Sequence, residues 1–186
     1  IDQLKKAVGN RELNLGSLSI NITDSYLIDL FRKTLISGND EQKLFILNEI
    51  QNLSPEPWGN ELTEIFHNGS NNIRSKILSI ALSDRHILTD NIIAELVNSP
   101  DDPLRPMGVI IASKRRLTHI IPSLKNLLSN TNPDLQASAN TAMVILSKDG
   151  KENARSELDG MLNATNVKLQ IAAVKATSNF PELLTN

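Results

Sequence analysis

Apolar residues return along this chain at two spacings, one short and one long. Over Phe31, Leu62, Ile93, Leu124 and Leu158 the steps are 31, 31, 31 and 34 residues, and a second wholly apolar column runs through Leu35, Phe66, Val97, Leu128 and Leu162. Thr34, Ile65, Leu96, Leu127 and Met161 fill the position between them. Downstream in each copy, apolar or small residues recur four apart. Ile46, Ile77, Gly108, Ala139 and Ala173 make one set, and Ile50, Ala81, Ala112, Met143 and Thr177 the next. A spacing of i, i+4, i+8 keeps side chains on one face of a helix. Each unit therefore reads as helix A, a turn and helix B, and five such units predict an all-α array.

The residues between the apolar runs agree. Gly38 and Gly69 fall just after helix A, where a left-handed glycine is expected to end it. Asn39-Asp40, Asn71-Asn72, Asp101-Asp102, Asn132 and Asn166 are placed to cap helix B, and Pro103 and Pro133 follow at first-turn positions. Pro106 falls near the fourth position of its helix and should loosen that turn. The three extra residues of the last unit fit the loop Lys148-Asp149-Gly150-Lys151. Helices are predicted over 25–37, 40–53, 58–68, 72–83, 90–98, 102–115, 120–129, 133–147, 152–163 and 167–178. A further helix is expected over 1–8 and an extended segment over 13–22. Residues 1–24 then form a cap or linker, 25–180 the array (units 25–54, 55–85, 86–116, 117–150 and 151–180), and 181–186 the start of another helix cut short.

Composition narrows the function classes. The 186 residues are 40% hydrophobic and 22% charged, enough for a buried core. Nineteen basic against twenty-one acidic side chains give a net charge of -2, so no global field draws the chain to nucleic acid. The absence of cysteine excludes disulfides, thiolate metal sites and a cysteine nucleophile. Aromatics are 3%, too few for a base-stacking platform. No run approaches the ~18 apolar residues of a membrane helix, and Ile1–Lys6 lacks signal-peptide character. The chain opens on Ile1 rather than Met, which reads as a piece excised from a longer protein.

The string Ile120-Ile121-Pro122-Ser123-Leu124-Lys125-Asn126-Leu127-Leu128, followed by Asn132-Pro133-Asp134-Leu135-Gln136, Ala139 and Ala142, resembles the HEAT repeat, in its short bacterial PBS-lyase-like form. The likeness covers about residues 25–180. It implies a right-handed α-solenoid of about five helical pairs that binds proteins, nucleic acids or other domains along one surface, with helix B lining the inner side. Asn10–Leu15, Ile20–Asp24 and Leu35–Glu41 are similar to the segment after the membrane domain in bacterial proteins that join an ATP/ADP-antiporter-like transporter to HEAT repeats. That implies a cytoplasmic module whose parent is membrane-anchored, with no membrane insertion of this fragment itself.

On the implied inner face, one column holds Asn48, Ser79, Ile110, Thr141 and Lys175. It is flanked by Leu44, Ser75, Pro106, Ala137 and Ile171 on one side and by Asn52, Ser83, Lys114, Ile145 and Asn179 on the other. These residues are mostly small and neutral, suited to a peptide, a helix or a neighbouring domain rather than a phosphate backbone. Arg105, Lys114, Arg115, Arg116 and Lys125 concentrate positive charge, while 40–66 carries six acids against Lys43 alone. The basic cluster is either a docking patch for an acidic partner or anionic lipid, or a solvated helix end where cations suit the dipole; the second is the better reading. Lys43, Arg74 and Arg105 share one repeat position, which in the family pairs with an acid or carbonyl of the adjacent unit.

No metal, cofactor or catalytic residues can be nominated. His67, His86 and His119 are dispersed, there is no phosphate-binding glycine loop, and no nucleophile elbow. Trp58 after Pro55-Glu56-Pro57 reads as a hydrophobic plug over an inter-repeat joint. The leading expectation is a non-catalytic scaffold whose partner is a protein or a neighbouring domain of the same polypeptide. The alternative is a nucleic-acid-binding HEAT-like domain, glycosylase-like or non-enzymatic, using the 105–125 cluster. A phycobilin-lyase-like enzyme is argued against by the missing cysteines.

Overall fold

A computed structural model of the chain describes residues 25–53 and 55–183. The expected helix over 1–8 and the extended segment over 13–22 lie outside the described residues. Those described form ten α-helices and no strand. They are α1 (Ser25–Ser37), α2 (Asp40–Gln51), α3 (Gly59–Asn68), α4 (Asn71–Ser83), α5 (Asp90–Asn98), α6 (Arg105–Lys114), α7 (Ile121–Lys125), α8 (Pro133–Leu146), α9 (Lys151–Leu162) and α10 (Val167–Thr177). The chain divides into two compact units, the first running to Leu88 and the second starting at Thr89.

In the first unit α1 pairs with α2 and α3 with α4, while α1 lies against α3 and α2 against α4. A-type helices thus stack on A-type, and B-type on B-type. In the second unit α5 pairs with α6, α7 with α8 and α9 with α10, and α8 is packed by α6, α9 and α10. The spacing in sequence explains this burial. Phe31, Leu62, Ile93 and Leu124 are fully buried and Leu158 nearly so. Ile46, Ile77, Ala139 and Ala173 are fully buried, and Ile50, Ala81, Ala112, Met143 and Thr177 are at most 2% exposed. A helical pair presents two apolar stripes and can cover them only with a neighbour. Leu128 and Leu162 are half-buried, so the second apolar column weakens in the last two units.

Several local expectations are corrected. Neither Gly38 nor Gly69 is left-handed; Gly69 has φ -83°. Glycine is needed at Gly69 for space, because a Cβ there would strike the Ile65 carbonyl oxygen and come within 2.9 Å of the Ile73 side chain. Among the described residues the left-handed ones are instead Gly150, Leu88 and Arg116. The third B-type helix begins at Arg105, not 102, since Pro106 has no N–H to give and settles at the first turn. Asp102 accepts from the Leu104 N–H just ahead of it. Ser70 rather than Asn71-Asn72 precedes α4, and its hydroxyl donates to Asp40 of the preceding unit. The helix expected over 120–129 is α-helical only to Lys125. Beyond it the Leu127 and Asn130 N–H groups bond three residues back, a tightening that suits the poor helix formers Asn126 and Ser129. Elsewhere the caps hold: Asn39 and Gln42 form a reciprocal capping box, and Asn132 and Asn166 accept from their first-turn N–H groups.

Trp58 is buried against Phe31, with ring centroids 5.6 Å apart, and its Nε1–H donates to the Ile28 carbonyl at 3.1 Å. It ties the second helical pair to the first. Arg32 does the same from the other side, donating to Glu61 at 2.6 Å and to the Pro57 carbonyl at 3.1 Å. Residues Pro181–Leu183 form a single 3-10 turn, tied down by Arg155, which donates to the Leu183 carbonyl. The remainder of the expected terminal helix lies outside the described residues.

Candidate interaction surfaces

The basic cluster lies wholly in the second unit, and most of it is engaged internally. Arg105 opens α6 half-buried, and its Nε donates to the Val97 carbonyl in the last turn of α5 at 2.6 Å. Burial lowers this guanidinium below its ordinary value, a desolvation effect. The Arg115 side chain is 4% exposed and paired with Asp90 at 3.2 Å. Arg116 follows α6 with φ 60°. The Leu117 N–H bonds to the Ala112 carbonyl and the Arg116 N–H to Ser113, the double closure of a Schellman motif that usually takes glycine at this position. The Arg116 side chain then donates to the Ile145 carbonyl in the last turn of α8 at 2.9 Å. Arginines at helix C-terminal carbonyls satisfy orphan acceptors and suit the dipole. Lys114 and Lys125 remain in solvent.

The shared position of Lys43, Arg74 and Arg105 works differently from the family expectation. Arg105 reaches a carbonyl of its own helical pair, not of a neighbour. Arg74 lies 5.0 Å over the Phe66 ring, again within its own pair. Val97 and Phe66 belong to one repeat column, so each arginine closes the same end of helix A in its unit.

The implied inner column does not form one accessible stripe. In the first unit Asn48 is exposed and Ser79 half-buried. In the second unit Ile110 is 6% exposed and Thr141 fully buried, which removes both from any contact surface, whereas Lys175 is exposed. The physical reason is that α8 is packed by helices on several sides. Asn140 beside it is also fully buried, donating to the Gln136 and Leu128 carbonyls. Its Oδ1 and the Thr141 hydroxyl find no partner among the described residues. Asn52 and Ser83, from the flanking column, line an open cleft of about 380 Å³ at the ends of α2 and α4, with Gln51, Leu53, Pro55, Ile80 and Asp84.

One surface went unnoticed in the sequence. Val167, Ile171 and Val174 of α10 are 61%, 48% and 56% exposed, an apolar row at i, i+4 and i+7. The signal was present, since α10 carries apolar residues on more of its circumference than the buried columns need. Among the described residues no three His, Asp or Glu side chains gather as a metal site, and no helix is long and apolar enough to cross a membrane. Compared with family models, with curated proteins and with solved structures, the chain matches none.

Proposed function

We propose that this chain is a protein-interaction scaffold: a right-handed α-solenoid of about five HEAT-like helical pairs that acts as a docking module within a larger bacterial protein. The observation that carries this reading is a division of labour among side chains. Arg105, Arg115 and Arg116 are held by Val97, Asp90 and Ile145, while large apolar side chains stand in water together on α10. Cations held internally are weak phosphate binders, and a grouped apolar surface marks association by burial. The register supports the family assignment, because equivalent positions are buried in copy after copy. A narrower version puts the module in the cytoplasm, on the soluble side of a nucleotide-transporter-like membrane protein; its support is the likeness over residues 10–41.

The test is partner capture from the producing cell with the full chain and with Asn48→Arg and Ser79→Arg variants, alongside a titration with duplex DNA at low salt. A protein retained by the native chain and lost with either variant supports the scaffold. DNA binding with a steep salt dependence, abolished by Lys114→Glu with Lys125→Glu, sinks it in favour of nucleic acid. Those lysines are the proper targets because Arg115 is buried in an ion pair that a glutamate would disrupt for structural reasons alone.

A further inference from the structure

Three pairs in the sequence set a short side-chain carbonyl carbon beside the backbone nitrogen of a glycine: Asn68-Gly69, Asp149-Gly150 and Asp159-Gly160. With no Cβ to shield it, that nitrogen can attack the preceding side chain and close a five-membered ring. Asn68, Asp149 and Asp159 are all exposed, so access to water does not choose among them. Backbone geometry does. Ring closure needs a glycine N–H that is not held, and a rotation about the Cα–C bond of the preceding residue away from its helical value.

Two of the pairs are locked. Asn68 ends α3, where the Gly69 N–H donates to the Ile65 carbonyl at 2.8 Å and Asn68 Nδ2 to the Glu64 carbonyl at 3.3 Å. Attacking nitrogen and target amide are both engaged there. Asp159 and Gly160 lie inside α9, within its ladder of i→i−4 bonds, and the Asp159 carbonyl accepts from the Asn163 N–H at 3.1 Å. Asp149 is different, because it lies in the turn between α8 and α9. Gly150 has φ 86°, and a Cβ placed on it would meet only Met143 Cε, at 3.7 Å. Among the described residues its N–H makes no hydrogen bond. The Ser147 hydroxyl donates to the Asp149 carbonyl, which draws electron density from the peptide and eases loss of the Gly150 N–H proton.

We propose that Asp149–Gly150 is a site of spontaneous covalent modification, at which the folded chain converts aspartate to isoaspartate. The Gly150 nitrogen attacks Cγ of the neutral Asp149 carboxyl. The N–Cγ bond forms, the Cγ–OH bond breaks, and the hydroxyl leaves with the amide proton as water. Water then opens the succinimide. Addition at Cγ restores aspartate; addition at the main-chain carbonyl carbon breaks its bond to nitrogen and routes the chain through Cβ and Cγ. The net change is an isomerisation and consumes no other reactant. It inserts a methylene just ahead of Gly150, whose carbonyl accepts the Ala154 N–H at 3.1 Å in the first turn of α9. The new α-carboxylate stands in an exposed turn, open to an enzyme that methylates isoaspartyl groups. None of this depends on the scaffold reading.

The experiment incubates the full 186-residue chain in water enriched in oxygen-18 at mildly acid pH, folded and in urea. Peptide mapping follows incorporation of the heavy oxygen at residues 68, 149 and 159, and an isoaspartyl methyltransferase labels the isomer. The expected rate at Asp149 is the same in the folded and unfolded chains to within about threefold. At Asn68 and Asp159 folding should slow the reaction by about tenfold or more, because each must first open locally. Asp149→Glu should abolish methyl labelling of this turn with the helical circular dichroism unchanged, since the residue is exposed and the longer side chain disfavours the ring. Protection of Asp149 by folding of about tenfold or more would overturn the proposal, as would conversion of Asn68 at equal rates in both states. So would a folded chain without isoaspartate at 149, or turn labelling that survives Asp149→Glu.

Discussion

Replacing Leu62 by alanine tests the repeat register at one of its most buried points. Leu62 is fully buried in α3, in the column it shares with Phe31, Ile93, Leu124 and Leu158. Removing about three carbons at roughly 0.8 kcal/mol each gives about 2.4 kcal/mol of lost transfer energy. Partial collapse of the cavity adds to that, for a total of about 2–5 kcal/mol. The sole tryptophan supplies the assay, because Trp58 is 1% exposed against Phe31 in the same compact unit. Its emission should shift as that unit unfolds in urea. The control is Ile36→Ala on α1, where the side chain is already 43% exposed and the loss should stay below about 1 kcal/mol. A midpoint shift for Leu62→Ala at unchanged slope, well beyond that of Ile36→Ala, is expected. A loss under about 1 kcal/mol, or one equal to the control, would refute the register.

Three further outcomes follow from individual contacts. Gly108→Ala should destabilise the second unit by about 1 kcal/mol despite better helix propensity, because a Cβ would stand 2.9 Å from Leu96 Cγ and Cδ2; pairing it with Leu96→Ala should cost less than the sum, measured by a double-mutant cycle. Thr141→Val should raise the melting temperature, gaining about 1 kcal/mol, since it removes a fully buried hydroxyl without a partner at nearly constant shape. Burial raises the Glu49 carboxyl above its ordinary 4.5, so its neutral form is favoured in the fold. That contribution is present at acid pH and lost as pH rises through the folded value, so Glu49→Gln should stabilise in urea titrations at about pH 7 and do nothing at about pH 3.5.

The helical pairs were legible because one physical requirement repeats: each stripe must meet a neighbour, so the same columns stay apolar in every copy. Element ends were legible where a side chain makes the cap, as at Asn39, Asn132 and Asn166. They were misplaced where sterics decide instead. Pro106 moved a helix start, and Gly69 proved to be a matter of clearance beside Ile65 and Ile73 rather than of handedness. The surfaces were less legible, because spacing gives a face but not what covers it. Thr141 reads as a small polar inner-face residue until α8 is seen packed by both α6 and α10. Arg105, Arg115 and Arg116 cluster in sequence, yet each finds a different acceptor, which spacing does not reveal. Spacing alone puts Ile171 in a flanking column, yet its partnership with Val167 and Val174 emerges only once Ala172, Ala173 and Ala176 are seen to face inward.

The most direct test of a docking function is photo-crosslinking in the producing cell, with a benzophenone amino acid placed in turn at Asn48, Ile171, Lys114 and Lys125. The account predicts a discrete protein adduct from position 48 or 171 and no nucleic-acid adduct from 114 or 125. Nucleic-acid adducts from the lysine positions, with positions 48 and 171 silent, would contradict it.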